Sequence, residues 1–353
     1  MSHLFVNSEP EDICVIRLSA IGDACHALAV IRTLQHNWPG ARITWIIGKT
    51  EASLLADIPD VEFIIFDKSD GLWAYAKLRP TLLSRRFDVA LCMHASLRAN
   101  ILCRMVPAPL RLGFDAGRAR DFQRLFTNRR IPAVAGQHSL EAMMGFATSI
   151  GATQGALRWD IPIGDADRQF ARQYVHGGSP TLVVSPCSSQ RRRNFRNWSV
   201  DNYATVIAYA QQTYNCRVIL TGGSTVLERD YGQALARRNR GRLDNLIGAT
   251  TLKQLLALLD AAAIVLCPDS GPAHMATAVG TPVIGLYATS NPDRTGPYLS
   301  RQFTVDRYAD AVEQFLGKRV SDLRWGQRVR HADAMALITV ADVTDKLDKF
   351  FAR

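Results

Sequence analysis

Short apolar runs alternate with helical patterns along this chain, and the alternation starts twice. It starts first at residues 13–16, which lead through a polar loop into a helical pattern of apolar residues between 27 and 34. It starts again at residues 181–185, after a segment at 151–167 that carries Gly, Pro and Asp. Strands that alternate with helices predict parallel sheets with helices packed on them. The sequence therefore predicts an α/β fold with two parallel sheets.

The same pattern predicts how the chain divides. A length of 353 residues favours two domains, each with its own core. We predict a first domain at residues 1–165, a second at 166–330 and a linker near 160–178. A last helix, at about 340–351 in the C-terminal segment 331–353, is expected to pack back on the first domain. The predicted strands are residues 13–16, 43–47, 63–66, 89–92, 181–185, 218–221, 263–267 and 283–287.

Open α/β sheets bind ligands beyond the carboxyl ends of their strands. Two Rossmann-like domains that face each other across a cleft would bring two ligands into contact at the junction. Such a cleft would suit a donor and an acceptor.

Composition and charge narrow the class of protein. Hydrophobic residues make up 47% of the chain and charged residues 21%, which is typical of a globular protein. The longest apolar stretches, such as 261–267, are shorter than the ~20 residues of a spanning helix, and the N-terminus does not resemble a signal peptide. We expect a cytoplasmic protein. Its seven cysteines form no C-x-x-C pair, so we expect buried reduced thiols, with neither a zinc site nor a disulfide framework.

The net charge of +10 predicts a surface that attracts anions. The arginines are concentrated at residues 98–130 and 191–196. No RNA-binding aromatic signature and no helix-turn-helix pattern accompanies them, so nucleic acid is disfavoured as a partner. A nucleotide diphosphate or an anionic membrane stays open.

Three segments that follow predicted strands of the second half are candidates for anion or nucleoside binding. In Cys267-Pro-Asp-Ser-Gly-Pro-Ala-His274, Asp269 and Ser270 can cap a helix whose N-terminus also attracts anions. Gly271 would let a ligand approach the backbone. An ordinary capped turn has the same pattern, and His274 alone would be read as a packed helix residue.

The other two segments are residues 185–198 and 221–224. Hydroxyls of Ser188 and Ser189 with the guanidinium of Arg196 can neutralise a diphosphate without a metal, although a solvated basic loop fits too. Gly222 and Gly223 permit a nucleoside to lie against the backbone, and Glu228 can accept hydrogen bonds from ribose hydroxyls.

The first half offers a carboxylate instead. Ser19-Ala-Ile-Gly-Asp23 has one glycine, so no G-x-G-x-x-G fingerprint exists and a dinucleotide site is disfavoured. Asp23, close to the end of a strand, could act as a general base. It could equally cap the helix that follows.

Taken together, Arg17-Leu-Ser-Ala-Ile-Gly-Asp23, Arg196-Asn-Trp198, Thr221-Gly-Gly223 and Pro268-Asp-Ser-Gly-Pro-Ala-His274 resemble the motifs of family 9 glycosyltransferases, the heptosyltransferases of lipopolysaccharide. The resemblance spans nearly the whole chain. It implies the GT-B fold and inverting transfer of heptose from ADP-heptose, without a metal or another cofactor.

The resemblance also implies roles for single residues. Asp23 matches the catalytic base, and Ser188, Ser189 and Arg196 match the diphosphate-binding positions. Glu228 matches a ribose-binding position. The positions around the donor sugar and phosphates are matched by Asp269, Ser270, Gly271 and His274.

Two departures from the family pattern leave the contact geometry open. Arg196 stands where a lysine is common, and Ser199 replaces a frequent proline. The arginine triplet at 191–193 is an additional feature without an assigned role.

The acceptor half is less determined. Arg98, Arg118 and Arg120 suggest an anionic saccharide or lipid as the acceptor. The resemblance implies an inner-core lipopolysaccharide precursor of the Kdo-lipid A type, for which we expect a reversible electrostatic contact with the inner face of the inner membrane. We expect a monomer. Two alternatives stay open: a glycosyltransferase of this fold that uses another nucleotide sugar, and a non-catalytic nucleotide- or nucleic-acid-binding protein.

Overall fold

The computed structural model describes residues 9–188, 194–239 and 243–352. They fold into two compact units, one that ends at Pro162 and one that begins at Ile163. The domain boundary expected from the sequence, between residues 165 and 166, lies a few residues later.

The first unit contains a parallel sheet of six strands in the order β3-β2-β1-β4-β5-β6. This is the strand order of a Rossmann fold. Its strands are β1 (Asp12–Ile16), β2 (Arg42–Gly48), β3 (Val61–Phe66), β4 (Val89–Leu91), β5 (Leu110–Gly113) and β6 (Arg129–Arg130). Its helices are α1 (Ile21–Asn37), α2 (Lys49–Leu55), α3 (Trp73–Leu83), α4 (Leu97–Met105) and α5 (Ser139–Ser149).

The second unit repeats this topology. Its six parallel strands lie in the order β12-β11-β10-β7-β8-β9. The strands are β7 (Thr181–Val184), β8 (Arg217–Leu220), β9 (Leu243–Asn245), β10 (Ile264–Pro268), β11 (Val283–Tyr287) and β12 (Val305–Asp306). The helices are α6 (Asp165–Tyr174), α7 (Val200–Tyr214), α8 (Val226–Arg238), α9 (Leu252–Ala261), α10 (Gly271–Ala278), α11 (Pro292–Thr295), α12 (Tyr308–Leu316) and α13 (Val340–Phe351).

The central strands of both sheets are almost entirely buried. Every residue of β7 and β10 is buried, and so are four of the five residues of β1. Strands covered by helices on both faces need apolar side chains at nearly every position, which explains why these strands read as continuous apolar runs in the sequence. The prediction of two parallel α/β sheets is confirmed.

Helix α9 shows how the sequence sets helix boundaries. The Thr251 hydroxyl accepts a hydrogen bond from the backbone N–H of Gln254, and the Gln254 side chain accepts one from the Thr251 N–H. This capping box satisfies two N–H groups that would otherwise lack partners at the helix start. Its residues 255–259 are all buried, so this part of the helix is covered on every side.

Two expectations about the ends of the second unit differ from the structure. The predicted linker near 160–178 contains helix α6, which packs on α9 within the second unit. The C-terminal helix α13, expected to pack back on the first domain, packs against α7 of the second unit. Leu347 is buried in that core, and Phe351 stacks on Tyr214 at 4.1 Å between ring centroids.

All seven cysteines are buried; five are reduced and two form a disulfide. Cys92, just after β4, forms a disulfide with Cys103 in α4. The expectation of reduced thiols is wrong for these two residues, because the turn from β4 into α4 brings their Cα atoms to 6.1 Å, within disulfide range. The remaining cysteines, at positions 14, 25, 187, 216 and 267, are free and buried.

Among the described residues, no helix is both long enough and apolar enough to cross a membrane.

Candidate active site

Each sheet has a switch point between its first and fourth strands in chain order. These pairs are β1 and β4 in the first unit, and β7 and β10 in the second. The connections that leave the two strands run to opposite sides there, which opens a crevice at the carboxyl edge of the sheet. The segments that follow these four strands, counting each loop with the start of the next helix, carry most of the predicted site residues.

In the first unit, the loop after β1 is held tightly against β2. The Gly48 N–H donates to the Leu18 carbonyl at 3.0 Å, and the Trp45 indole N–H donates to the Arg17 carbonyl at 3.2 Å. A Cβ atom at Gly48 would lie 2.2 Å from the Leu18 oxygen, so only glycine fits at this position. The loop backbone is therefore fixed before α1 begins.

Arg17 bridges the switch point of the first unit. Its Nη1 donates to the Met93 carbonyl, beyond β4, at 2.6 Å, and its Nη2 forms an ion pair with Asp23. The Arg17 side chain is 9% exposed. Burial lowers the pKa of Arg17, and the neighbouring Asp23 carboxylate counteracts that shift. The guanidinium thus joins the two sides of the crevice and orients the Asp23 carboxylate.

Asp23 lies in the first turn of α1, with 39% of its side chain exposed. The N-cap residue of α1 is Ala20, which makes no side-chain cap hydrogen bond. Asp23 therefore does not occupy the N-cap position, and its carboxylate is paired with Arg17. A partly exposed carboxylate held by one cation can accept a proton from a bound hydroxyl.

Two further titratable groups lie near this loop. Burial lowers the pKa of His94 to about 4, and the Arg17 charge adds to the shift. The neutral imidazole accepts a hydrogen bond from the Leu18 N–H at 3.3 Å through Nδ1. Burial raises the pKa of Glu51, whose side chain packs beside Gly48.

In the second unit, two asparagines fold the loop after β7. Asn194 Oδ1 accepts hydrogen bonds from the Ser188 hydroxyl at 2.8 Å and from the Arg196 N–H at 3.1 Å. Asn197 Oδ1 accepts one from the Ser188 N–H at 3.0 Å. The predicted phosphate ligands Ser188 and Arg196 are thus brought together. Ser189 and residues 191–193 lie outside the described residues.

Arg196 bridges the second switch point as Arg17 bridges the first. Its Nη1 donates to the Asp269 carbonyl at 2.7 Å and lies 3.5 Å from the Asp269 carboxylate. The Ser290 hydroxyl donates to the same carboxylate at 2.8 Å, and an Arg328 nitrogen lies 3.9 Å from it. Two cationic side chains and one carboxylate therefore meet beside the start of α10.

Helix α10 begins directly after Asp269. Ser270 occupies the N-cap position, but its hydroxyl donates to the Pro268 carbonyl at 3.0 Å and makes no cap hydrogen bond. Asp269 is bound by Arg196 and Ser290 rather than by the first turn. Gly271 begins the helix, and His274 is buried one turn further on. The positive end of the α10 dipole thus adds to the positive charge of Arg196.

The loop that contains the glycine pair after β8 is hydrogen-bonded to a carboxylate. Glu228 Oε1 accepts a hydrogen bond from the Gly223 N–H at 2.8 Å, and Oε2 accepts one from the Thr225 hydroxyl at 2.6 Å. A Cβ at Gly223 would lie 2.9 Å from Glu228 Oε2. Glu228 is buried and shapes the loop through Gly222 and Gly223. Each carboxylate oxygen has a second lone pair with which it can accept a ligand hydroxyl.

Buried thiols flank these segments. Burial raises the pKa of Cys187 and of Cys267 to about 12. Both stay protonated at neutral pH, so neither is suited to act as a nucleophile.

The three arginines predicted to bind the acceptor differ in their surroundings. Arg98 is exposed in the first turn of α4, and Arg120 is exposed with Nη1 bonded to the Ala119 carbonyl at 2.8 Å. Arg118 is half-buried. It donates to Asp115 at 2.6 Å, to the Val134 carbonyl at 2.6 Å and to the Gln137 amide oxygen at 2.7 Å. Arg98 and Arg120 are thus exposed, whereas Arg118 is tied to residues on both sides of a loop.

Sequence reasoning assigned no role to several residues that build the site. A buried arginine directly after an apolar strand needs an acceptor, and that signal points to Arg17. Ser290 follows β11 as part of a polar run, which is also readable from the sequence. Asn194 and Arg328 carry no such signal, because their roles depend on how loops distant in sequence fold together.

Comparisons with known proteins identify the family. A family model described as glycosyltransferase family 9 (heptosyltransferase) matches residues 75–319. The chain is 38% identical over 340 residues to the lipopolysaccharide core heptosyltransferase OpsX of Haemophilus influenzae, covering 96% of this chain and 97% of that protein.

Solved structures share the fold. A family 9 glycosyltransferase from Veillonella parvula superposes with a TM-score of 0.78 at 17% identity, covering 97% of both chains. The E. coli ADP-heptose lipopolysaccharide heptosyltransferase II superposes with a TM-score of 0.74 at 21% identity, covering 97% of this chain and 98% of that one. The chain therefore belongs to glycosyltransferase family 9, the heptosyltransferase family.

Proposed function

We propose that this enzyme transfers heptose from ADP-heptose to an inner-core lipopolysaccharide acceptor of the Kdo-lipid A type. The observation that carries the proposal is the 38% identity, over 96% of the chain, to a lipopolysaccharide core heptosyltransferase. The acceptor is part of a lipid, so we place the reaction at the cytoplasmic face of the inner membrane, with the enzyme bound peripherally as a monomer.

The proposed reaction is a single displacement with inversion. The acceptor hydroxyl gives its proton to the Asp23 carboxylate while its oxygen forms a bond to the anomeric carbon. The bond from that carbon to the diphosphate oxygen breaks, and ADP leaves with the electron pair. Asp23 suits the role of base because its carboxylate is partly exposed and oriented by Arg17.

The leaving diphosphate gains negative charge as the bond breaks. Arg196 and the N-terminus of α10 supply the positive charge and hydrogen-bond donors that stabilise it. The Ser188 hydroxyl joins them when its proton turns from Asn194 to a phosphate oxygen. These groups make a divalent metal unnecessary in the proposed mechanism. Ser270, Gly271 and His274 would surround the sugar and phosphates, and Glu228 would accept the ribose hydroxyls beside Gly222 and Gly223.

The Asp23→Asn variant tests the proposed base. We expect ADP to bind with unchanged affinity and turnover to fall ~10²–10⁴-fold, which is the usual contribution of general-base assistance. The control is Asp165→Asn, which changes an exposed aspartate in the first turn of α6 and should leave turnover unchanged. Near-normal turnover of Asp23→Asn would contradict the assignment of Asp23 as the catalytic base.

The donor is tested by titration calorimetry with ADP, UDP and GDP. We expect ADP to bind tightest and Arg196→Ala to weaken it about tenfold or more, since a charge-assisted contact to phosphate is lost. Turnover should persist in the presence of EDTA. Tightest binding by UDP or GDP would assign another nucleotide sugar, and nucleotide binding without any transfer would favour a non-catalytic binding protein.

A further inference from the structure

Exposed apolar side chains of the first unit concentrate around two short segments. At the start of α3, Leu72 is 84% and Trp73 is 74% exposed. In the loop after β5, Phe122 is 72% and Leu125 is 75% exposed. Large apolar side chains that are exposed close together often mark an interaction site, whereas single exposed ones do not.

These segments lie on the same edge of the first sheet. They follow the carboxyl ends of β3 and β5, and the start of α4 connects them. Tyr75 in α3 donates to the Arg98 carbonyl at 3.4 Å, and the Leu97 N–H donates to the Asp121 carboxylate at 3.0 Å. We call residues 72–75, 97–98 and 120–125 the apolar rim.

The Phe122 loop is built so that its aromatic ring stays outside. Gln123 is buried, and its amide donates to the Cys92 carbonyl at 3.0 Å while accepting from the Phe114 N–H at 3.1 Å. Asp121 and Phe122 have φ of 51° and 59°, a left-handed conformation that costs free energy for residues other than glycine. The protein thus holds Phe122 in solvent at a cost, which points to a function for the exposed ring.

Positive charge surrounds the apolar rim. Residues 98–130 contain eight arginines and two aspartates, without lysine or glutamate. A pocket with a volume of about 400 Å³ lies beside Phe122 and is lined by Arg120, Arg124 and Arg130, among other residues. Exposed aromatic rings among arginines complement a surface that is anionic and has an apolar layer beneath, namely an anionic lipid bilayer.

We propose that the apolar rim docks on an anionic bilayer, with Trp73 and Phe122 inserted at the headgroup level and the arginines bound to lipid phosphates. This deepens the proposed function, on which it rests for its biological setting, by giving the membrane contact an apolar component. The sequence alone indicated an electrostatic contact, because the apolar residues come from separate segments and form no amphipathic helix.

Flotation with vesicles tests the proposal without any donor or acceptor. The vesicles contain phosphatidylethanolamine with or without phosphatidylglycerol. We expect binding only with phosphatidylglycerol, and a partition coefficient about tenfold lower for the double variant Trp73→Gln/Phe122→Asn, which loses two inserted rings. Asparagine tolerates the left-handed backbone at position 122, so the loop is kept.

The matched control is Leu83→Ser. Leu83 is 57% exposed at the other end of α3, about 15 Å along the helix from Trp73. We expect it to bind vesicles like the unmodified protein. Equal binding by the double variant and the unmodified protein would overturn the proposal, and so would equal weakening by Leu83→Ser.

Fluorescence separates insertion from simple attraction. Trp73 and Trp325 are the exposed tryptophans among the described residues, at 74% and 37%. On adding anionic vesicles we expect a blue shift that Trp73→Phe removes and Trp325→Phe keeps. A shift unaffected by Trp73→Phe, or binding abolished completely by high salt, would show a purely electrostatic contact and contradict insertion.

Turnover separates this proposal from the proposed function. On a delipidated acceptor we expect the double variant to match the unmodified enzyme, whereas on acceptor embedded in vesicles it should be slower. If the unmodified protein binds vesicles through Trp73 but transfers no heptose to either acceptor, the proposed function fails and the docking surface stands. If the apolar rim binds an acidic protein but not vesicles, the membrane-docking proposal fails and the proposed function is unaffected.

Discussion

Arg17 and Asp23 form an ion pair in which the arginine is almost fully buried and the aspartate is partly exposed. The second guanidinium nitrogen of Arg17 is bonded to the Met93 carbonyl across the switch point. The buried partner therefore fixes the exposed one, and Arg17 is a positioning residue for the proposed base.

Replacing Arg17 should affect catalysis and leave donor binding unchanged. A lysine ammonium cannot reproduce the planar fork that serves both Met93 and Asp23, so we expect Arg17→Lys to lower kcat about tenfold. Arg17→Met removes the charge that favours the ionised carboxylate of Asp23, so the acid limb of the kcat profile should move to higher pH. Arg42→Lys, at the exposed ion pair with Asp12, is the control. An unshifted acid limb in Arg17→Met would contradict the positioning role.

Gly48 should tolerate no larger residue. In Gly48→Ala the new methyl group would lie 2.2 Å from the Leu18 oxygen and 2.6 Å from a Glu51 carboxylate oxygen. We expect the free energy of unfolding to fall by about 2 to 3 kcal/mol. Gly40→Ala, which meets nothing within 4 Å, should change it by less than about 0.5 kcal/mol. Denaturant unfolding measures both, and equal stabilities would refute the close packing.

Arg118 and Arg120 should have separable effects. Arg118→Ala leaves the buried Asp115 without its ion-pair partner and frees the loop near Val134, so stability should fall by about 1 to 3 kcal/mol. Arg120→Ala should leave stability nearly unchanged and raise the acceptor KM. Thermal unfolding and acceptor kinetics on both variants check this. A stable Arg118→Ala variant with a raised KM would make Arg118 an acceptor ligand instead.

His94 should contribute to acid sensitivity. Its pKa is about 4 in the folded protein against 6.5 as the reference value, because burial disfavours the charged ring. The unfolded chain binds a proton in this window and the folded chain does not, so stability is lost as pH falls from 6.5 towards 4.

The His94→Asn variant keeps an acceptor for the Leu18 N–H but does not titrate. We expect its stability to fall less between those pH values, by about 1 to 2 kcal/mol after allowance for partial exposure. The exposed His36→Asn variant is the control. If both variants lose stability with the unmodified slope, His94 is not the responsible group.

Most of the fold that positions the site could be predicted from the sequence. The buried strands β1, β7 and β10 read as apolar runs because both faces are covered by helices. Strands β5, β6, β9 and β12 could not be predicted, whereas the edge strand β3 could. β6 and β12 are two residues long and include charged residues, so they carry no periodic pattern.

The candidate site was predictable in its residue types but less so in its contacts. The motifs identified Asp23, Arg196 and Asp269, and the family assignment is confirmed, whereas the roles of these residues remain predictions. Which arginine forms an ion pair within the protein depends on the folded loops. Arg118 and Arg120 are two residues apart and look alike in the sequence, yet only Arg118 forms an ion pair among the described residues.

The two arginine bridges change what the net charge of +10 means for a ligand. Arg17 and Arg196 each direct a guanidinium nitrogen at a backbone carbonyl and lie beside a carboxylate of their own unit. Each bridge pairs one cation with one anion and adds nothing to the net charge, so the excess positive charge lies on other side chains. Long-range attraction of an anionic substrate depends on the solvent-facing arginines, so raising the ionic strength should slow encounter with the acceptor more than it weakens the nucleotide once bound.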